Sequence, residues 1–215
     1  MVVEDAELVD LRQVIFDLGG VLIDWNPRYL YRRLFAGDEA AMERFLAEVC
    51  SPEWNLSLDA GRPFADAVAE LSALHPAERA RIHAYHERWL EMVAGPIRST
   101  VAVLDELAAA GVPLWALTNW SAETFVLVRD DPTYAFLNHF RTIFVSGELG
   151  LIKPDPAIYR HVLAAIGTHP GDCLFIDDAP KNVTAARALG IQAHLFTRAE
   201  PLRAELAGLG LLPAA

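Results

Sequence analysis

The sequence predicts an α/β protein: a doubly wound, open parallel sheet of the Rossmann type with an α-helical bundle inserted into it. Three observations carry that reading. In the second half of the chain, an alanine-rich helical stretch closes three times on a glycine and passes into an apolar run: ELAAAG to VPLWALT, VLAAIG to CLFIDD and ARALG to IQAHLF. Continuous apolar runs of this length suit strands buried on both faces, and helices between them imply parallel βαβ units. Two more such runs, Val14-Ile15-Phe16 and Ile143-Phe144-Val145, make a five-stranded sheet. Between roughly Asn26 and Val93 the pattern instead repeats helix after helix with no strand signal.

The elements follow in order. The first strand ends at Asp17, and the helical insertion begins soon after. Asn26-Pro27 fits a helix cap followed by a first-turn proline, Asp38 opens DEAAMERFLAEV, and Pro76-Ala77-Glu78 opens a long amphipathic stretch to Met92. Trp54-Asn55 and Asp59-Ala60-Gly61 read as a polar, turn-rich interruption between helices. Gly95-Pro96 marks the return, so residues 1–25 and 95–215 are expected to form the core and 26–94 a helical cap. Gly111, Gly167 and Gly190 each stand where a left-handed residue ends a helix. An insertion after the first strand should lie above the strands' carboxyl ends, where open α/β sheets bind ligands.

Bulk properties exclude several classes. The 215 residues carry 18 Lys and Arg against 29 Asp and Glu, a formal charge of −11, with no basic block. That balance disfavours nucleic acid or an anionic membrane and favours a small-molecule partner. The first residues, MVVEDAELVD, are acidic where a secretory signal would be basic, and no apolar stretch has the length of a membrane span. A cytoplasmic location is expected. Cys173 lies inside an apolar run and Cys50 far from it in sequence, so both read as reduced, structural residues. No sequence feature sets an oligomeric state.

Chemistry collects at the strand ends. Asp17, Thr118-Asn119 and Asp177-Asp178 each follow a strand, and Lys153 follows another in GELGLIKPD. A carboxylate at one strand end is often only a cap or turn residue. Three carboxylates, a hydroxyl, an amide and a lysine arriving at one edge are different, because that much charge calls for a cation and an anionic ligand to balance it.

These residues carry a resemblance. Asp17 in FDLGGV, Thr118-Asn119, Lys153 in KPDPAIY and Asp177-Asp178 in FIDDAPKNVTAARALG resemble, in order and spacing, the four motifs of the haloacid dehalogenase superfamily. The likeness spans about Val14 to Phe196, and DLGGVLID and DDAPKN are most similar to its phosphatase-like branch that includes sugar-phosphate phosphatases. The resemblance implies a hydrolase with Asp17 as nucleophile and Lys153 as its cationic partner. It implies Mg²⁺ held by Asp17, the Gly19 carbonyl and Asp178, with Asp177 beside them. Thr118 and the backbone around Asn119 would bind phosphoryl oxygens, and Asn182 would orient Lys153 or a metal water, unless it caps a helix. Trp54 and Asp59 would belong to a cap loop lowered onto the leaving group, or merely to a helix connection. Trp25 and Trp120 line a pocket or pack the core. His83 and His86, three apart with no third ligand evident, read as a solvated face.

Gly19 departs from the superfamily pattern. Most of its phosphatases carry aspartate there, to protonate the leaving oxygen and then activate water, although the metal ligand at this position is a backbone carbonyl and survives. Asp24, seven residues after Asp17, is a candidate stand-in, or else a polar turn residue. Three functions remain open from sequence: a Mg²⁺-dependent phosphatase, a metal-free 2-haloacid dehalogenase using the same aspartate, and a low-turnover phospholigand-binding protein. The acidic pair Asp177-Asp178 disfavours the second.

Overall fold

A computed structural model describes residues 13–213. The acidic stretch 1–10, read above as no secretory signal, lies outside the described residues. Among the described residues seven strands, β1 (Gln13–Phe16), β2 (Ile23–Trp25), β3 (Val93–Pro96), β4 (Leu114–Thr118), β5 (Ile143–Val145), β6 (Cys173–Asp177) and β7 (Gln192–Leu195), form two sheets. The larger is five-stranded and parallel, in the order β5-β4-β1-β6-β7. From β1 the chain winds first to β4 and β5, then crosses to β6 and β7 on the other side. The reversal point of a doubly wound sheet therefore lies at the carboxyl end of β1, beside β4 and β6.

Alternation along the strands divides two apolar cores. Val14, Phe16, Leu174 and Ile176 face one cluster, whereas Ile15, Cys173 and Phe175 face the other. On the first face lie α6 (Arg98–Ala109) and α11 (Ala199–Gly208), through Val103, Leu104, Leu107, Leu202 and Leu206. On the second lie α9 (Pro156–Ile166) and α10 (Pro180–Ala188), through Ile158, Tyr159, Val162, Val183 and Ala186. Fully burying each such Leu or Ile contributes about 1.5–3 kcal/mol. Local signals agree: Asp155 accepts the Ala157 N–H at 2.8 Å at the start of α9, Pro156 fills its first position, and Gly167 ends it at φ +68°. Cys50 and Cys173 are both buried and free.

The inserted segment contains α1 (Arg28–Leu34), α2 (Glu39–Glu48), α3 (Pro52–Asp59), α4 (Phe64–Leu74) and α5 (Arg79–Glu87). Asp38 accepts the Ala41 N–H at 3.0 Å, as its cap position predicts, whereas the cap of α1 is Pro27 and Asn26, one residue earlier, accepts the Arg28 N–H at 3.0 Å. Two expectations need correction. The stretch Pro76–Met92 is not one helix: short 3₁₀ turns at Pro76–Glu78 and Trp89–Met92 flank α5. Trp54 and Asn55 lie within α3, whose start is set by the Ser51 hydroxyl accepting the Trp54 N–H at 3.2 Å and by Pro52, so the turn comes only after Asp59. The two connections between the insertion and the core pair with each other, Ile23 with Pro96 and Asp24 with Gly95, in the antiparallel β2-β3 ribbon.

Hydrogen bonds join this segment to the core over the strand ends. The Phe64 N–H donates to Glu123 at 2.9 Å, and the Ser146 hydroxyl donates to the Asp59 carbonyl at 2.5 Å. The four remaining helical pieces belong to the core: α7 (Ala122–Arg129), a 3₁₀ stretch at Pro132–His139, α8 (Ser146–Leu149) and a 3₁₀ turn at Pro170–Asp172. Among the described residues no helix is long and apolar enough to cross a membrane.

Candidate active site

Asp17 follows β1, Thr118 ends β4 and Asp177 ends β6, so the sheet itself brings the three motif residues to its reversal point. Lys153 reaches them from the loop after α8. Its side chain is fully buried, and its ammonium donates to Asp17 Oδ1 at 2.9 Å, Asp177 Oδ2 at 2.8 Å and the Leu117 carbonyl at 2.9 Å. All three ammonium hydrogens are thereby used. The loop is held by Asn119, whose side-chain amide donates to the Lys153 carbonyl at 2.9 Å and accepts its N–H at 2.8 Å. This two-way clasp was not legible in the sequence, which assigned Asn119 to phosphate through its backbone.

Asp177 is fully buried and both its oxygens are engaged. Oδ1 accepts the Ala179 N–H at 2.8 Å and the Asn182 amide at 3.0 Å; Oδ2 accepts Lys153, with Asn182 again at 3.1 Å. Asn182 therefore orients Asp177, and only through it Lys153. It sits inside α10 and does not cap it. Asp178 points the other way, exposed, toward the loop after Asp17. At Gly20, where φ is +73°, an added Cβ would stand 2.3 Å from Asp178 Oδ2. Only glycine lets this loop lie against that carboxylate.

Asp17, Asp177 and Asp178 each offer an oxygen within 4.8 Å of the others. One lysine pairs with two of these carboxylates and Asp178 stands beside them, which leaves excess negative charge at the site. Burial, only partly offset by Lys153, pushes the Asp17 carboxyl up to about 7, and burial followed by the neighbouring Asp177 raises Asp178. Burial works against the Lys153 ammonium, yet Asp17 and Asp177 together hold its pKa above the usual lysine value. A hard-oxygen cluster with surplus negative charge fits a divalent cation such as Mg²⁺. Thr118 is 1% exposed and its hydroxyl has no protein partner, so a donor stands ready at the strand end.

Beside this cluster opens a cleft whose lining includes Gly19, Trp25, Asn55, Asp59, Trp89 and Trp120. The inserted helices thus contribute Asn55 and Asp59 to the same cleft as Gly19. Trp54 does not line it: its indole packs edge-on against Tyr85, ring centroids 5.0 Å apart. Asp24 does not line it either, and its carboxylate accepts the Tyr29 hydroxyl at 2.9 and 3.0 Å. His86 stacks on Phe64 at 4.3 Å, and His83 lies 3.5 Å from Glu87. Among the described residues neither joins a metal-ligating cluster.

A family profile described as haloacid dehalogenase-like hydrolase matches residues 11–190. The chain belongs to that family. This hydrolase is 28% identical over 180 residues to the sesquiterpene phosphatase astK of Aspergillus oryzae, covering 84% of this chain and 87% of that one. It spans only 22% and 43% of two further curated relatives that it matches. Among solved structures, a HAD-like family hydrolase of Porphyromonas gingivalis superposes with a TM-score of 0.71 at 27% identity, over 92% of this chain and 98% of that one. A HAD family enzyme of Bacteroides thetaiotaomicron, solved with magnesium and inorganic phosphate, superposes with a TM-score of 0.66 at 22% identity, over 88% and 96%.

Proposed function

We propose that this hydrolase is a Mg²⁺-dependent phosphatase of small, sugar-phosphate-like esters that works through an aspartyl-phosphate on Asp17. The observation that carries the reading is the cluster of Asp17, Asp177 and Asp178, only two of which, Asp17 and Asp177, pair with the buried Lys153. A dehalogenase attacking carbon needs no cation, and for it this surplus of carboxylate would only repel an anionic substrate. A curated relative that matches along most of its length carries a phosphatase name.

Asp17, the Gly19 carbonyl and Asp178 would hold the ion. Asp177, with both oxygens already engaged by protein donors, supports the site from behind. Bound there, Mg²⁺ would supply charge that screens the carboxylate nucleophile from the phosphoryl group. The residues do the rest. Asp17 attacks phosphorus in line and, once ionised, needs no base to do so. Lys153, fixed by Asp177, the Leu117 carbonyl and the Asn119 clasp, keeps its charge beside the transferring group without reorganising. The free Thr118 hydroxyl donates to a phosphoryl oxygen. Trp25, Trp89 and Trp120 flank the leaving group and restrict its access to water.

The test is inorganic phosphate release from a panel of phosphate monoesters, with Mg²⁺ and with excess chelator. Activity should require the metal and vanish in Asp17→Asn. Undiminished turnover in chelator, or turnover by Asp17→Asn, would overturn the assignment.

A further inference from the structure

Gly19 leaves the leaving-group oxygen without an acid at the superfamily's usual position. An added Cβ at Gly19 would meet nothing within 4 Å, so the glycine borders open cleft. Another carboxyl group reaches that cleft, from the inserted segment. Asp59, the last residue of α3, lines it together with Gly19.

The residue is held through both its side chain and its main chain. Asp59 Oδ2 accepts the Asn55 side-chain amide at 2.9 Å, and Asn55 Oδ1 accepts the hydroxyl of the buried Tyr85 at 2.7 Å. The Asp59 main-chain carbonyl accepts the Ser146 hydroxyl at 2.5 Å, and Ser146 Oγ in turn accepts the Trp120 N–H at 2.9 Å. Asp59 is thereby tied to the core loops that carry Thr118 and Asn119. A carboxylate fixed this firmly at the mouth of an anion site costs repulsion toward a phosphate unless it carries a proton when the phosphate binds.

We propose that Asp59 is the general acid and base of the phosphatase reading, doing from the cap what Gly19 cannot. In the first half-reaction Asp17 bonds to phosphorus, the ester P–O bond breaks, and the Asp59 proton passes to the leaving oxygen, releasing the alcohol. In the second, the Asp59 carboxylate takes a proton from water as the water oxygen bonds to phosphorus and the Asp17 O–P bond breaks. Inorganic phosphate leaves, and Asp17 and protonated Asp59 are regenerated. Burial supports the assignment by pushing the Asp59 carboxyl up to about 7, against the lowering effects of a Ser121 backbone hydrogen bond, the Lys153 charge and the Asn55 amide. The titratable groups facing it are Lys153 from the core and Tyr85 from α5. Burial holds the Tyr85 pKa well above the usual tyrosine value, and Lys153 is held in its charged form, so neither titrates near neutral pH.

The experiment compares kcat/KM, which reports leaving-group departure, for para-nitrophenyl phosphate and n-butyl phosphate in Mg²⁺. Asp59→Asn should lose about a hundredfold on the butyl ester and at least tenfold less on the aryl ester, whose leaving group needs little protonation. Wild type should lose butyl activity above about pH 7, and the variant should lack that limb. Equal losses on both esters, or no loss, would refute the role of Asp59 while leaving the phosphatase reading intact. A wild type that releases phosphate from neither ester, nor from any in the wider panel, overturns both. If Asp59→Asn fails to fold, Asn55→Ala removes a hydrogen bond that favours the ionised carboxylate and should move the alkaline limb upward; an unmoved limb counts against the proposal.

Discussion

Lys153→Met tests how the site is held together. Methionine keeps most of the stem's volume, so the change removes charge and three hydrogen bonds with little loss of packing. The lysine is fully buried and pairs with two carboxylates at 2.9 and 2.8 Å. Without it, Asp17 and Asp177 face each other uncompensated. Breaking one partner from a buried ion pair costs about 3–5 kcal/mol, a large share of the roughly 5–15 kcal/mol that holds a typical domain folded. With a urea slope near 3 kcal/mol per molar, the unfolding midpoint in metal-free buffer should fall by about 1–2 M. Adding Asp17→Asn should return part of that loss, because it removes one of the two stranded carboxylates, and Mg²⁺ should do the same for the single variant. A loss under about 1 kcal/mol, or a double variant less stable than Lys153→Met, would refute the idea that this lysine neutralises a buried acidic cluster.

Further expectations follow from the same geometry. Gly20→Ala places a Cβ against the Asp178 carboxylate at a positive φ, so it should cost about 1–2 kcal/mol and weaken Mg²⁺ binding measured by calorimetry; unchanged affinity would show that Asp178 does not depend on this loop. Gly19→Asp has room for its side chain and should rescue n-butyl phosphate hydrolysis in the Asp59→Asn background; a folded double variant with no gain would separate position 19 from proton transfer. The raised Asp59 pKa also has a stability consequence. The folded state binds this proton more tightly than the unfolded chain, so the contribution is present below about pH 4 and lost as pH rises toward about 7. At roughly 1.4 kcal/mol per unit its upper bound is about 4 kcal/mol. Urea midpoints at pH 5 and pH 8 should therefore differ more in wild type than in Asp59→Asn, and equal differences would mean that the carboxyl is not destabilised by burial.

The sheet was legible because its strands are buried on both faces. Val14-Ile15-Phe16 and Cys173-Leu174-Phe175-Ile176 have no polar side to confuse with a helix, and glycines mark where the preceding helices stop. The β2-β3 ribbon was not legible, since three or four residues containing Asp24, Gly95 and Pro96 carry no strand periodicity and their partners lie some seventy positions apart. At the site, residue types and order announced the chemistry, but not the division of labour. Nothing local tells that Asn119 clasps the Lys153 backbone, that Asn182 and Lys153 absorb both oxygens of Asp177, or that Trp54 packs on Tyr85 while Asp59, five residues on, reaches the cleft. Those facts depend on where α3 settles over the strand ends. The Ser51-Pro52 start signal was present, yet Asn55 and Asp59-Ala60-Gly61 suggested a turn across residues that are helical up to Asp59.

The most direct test of the account is the fate of water oxygen during turnover. With a phosphate ester and Mg²⁺ in heavy-oxygen water, attack on the phosphorus of an Asp17 aspartyl-phosphate puts the label into inorganic phosphate and leaves the Asp17 carboxylate unlabelled. Mass spectrometry of the released phosphate and of the peptide carrying Asp17 reads both. The account predicts label in phosphate alone. Label in the Asp17 carboxylate, the mark of water attacking the aspartyl carbon as in an ester intermediate, would contradict it.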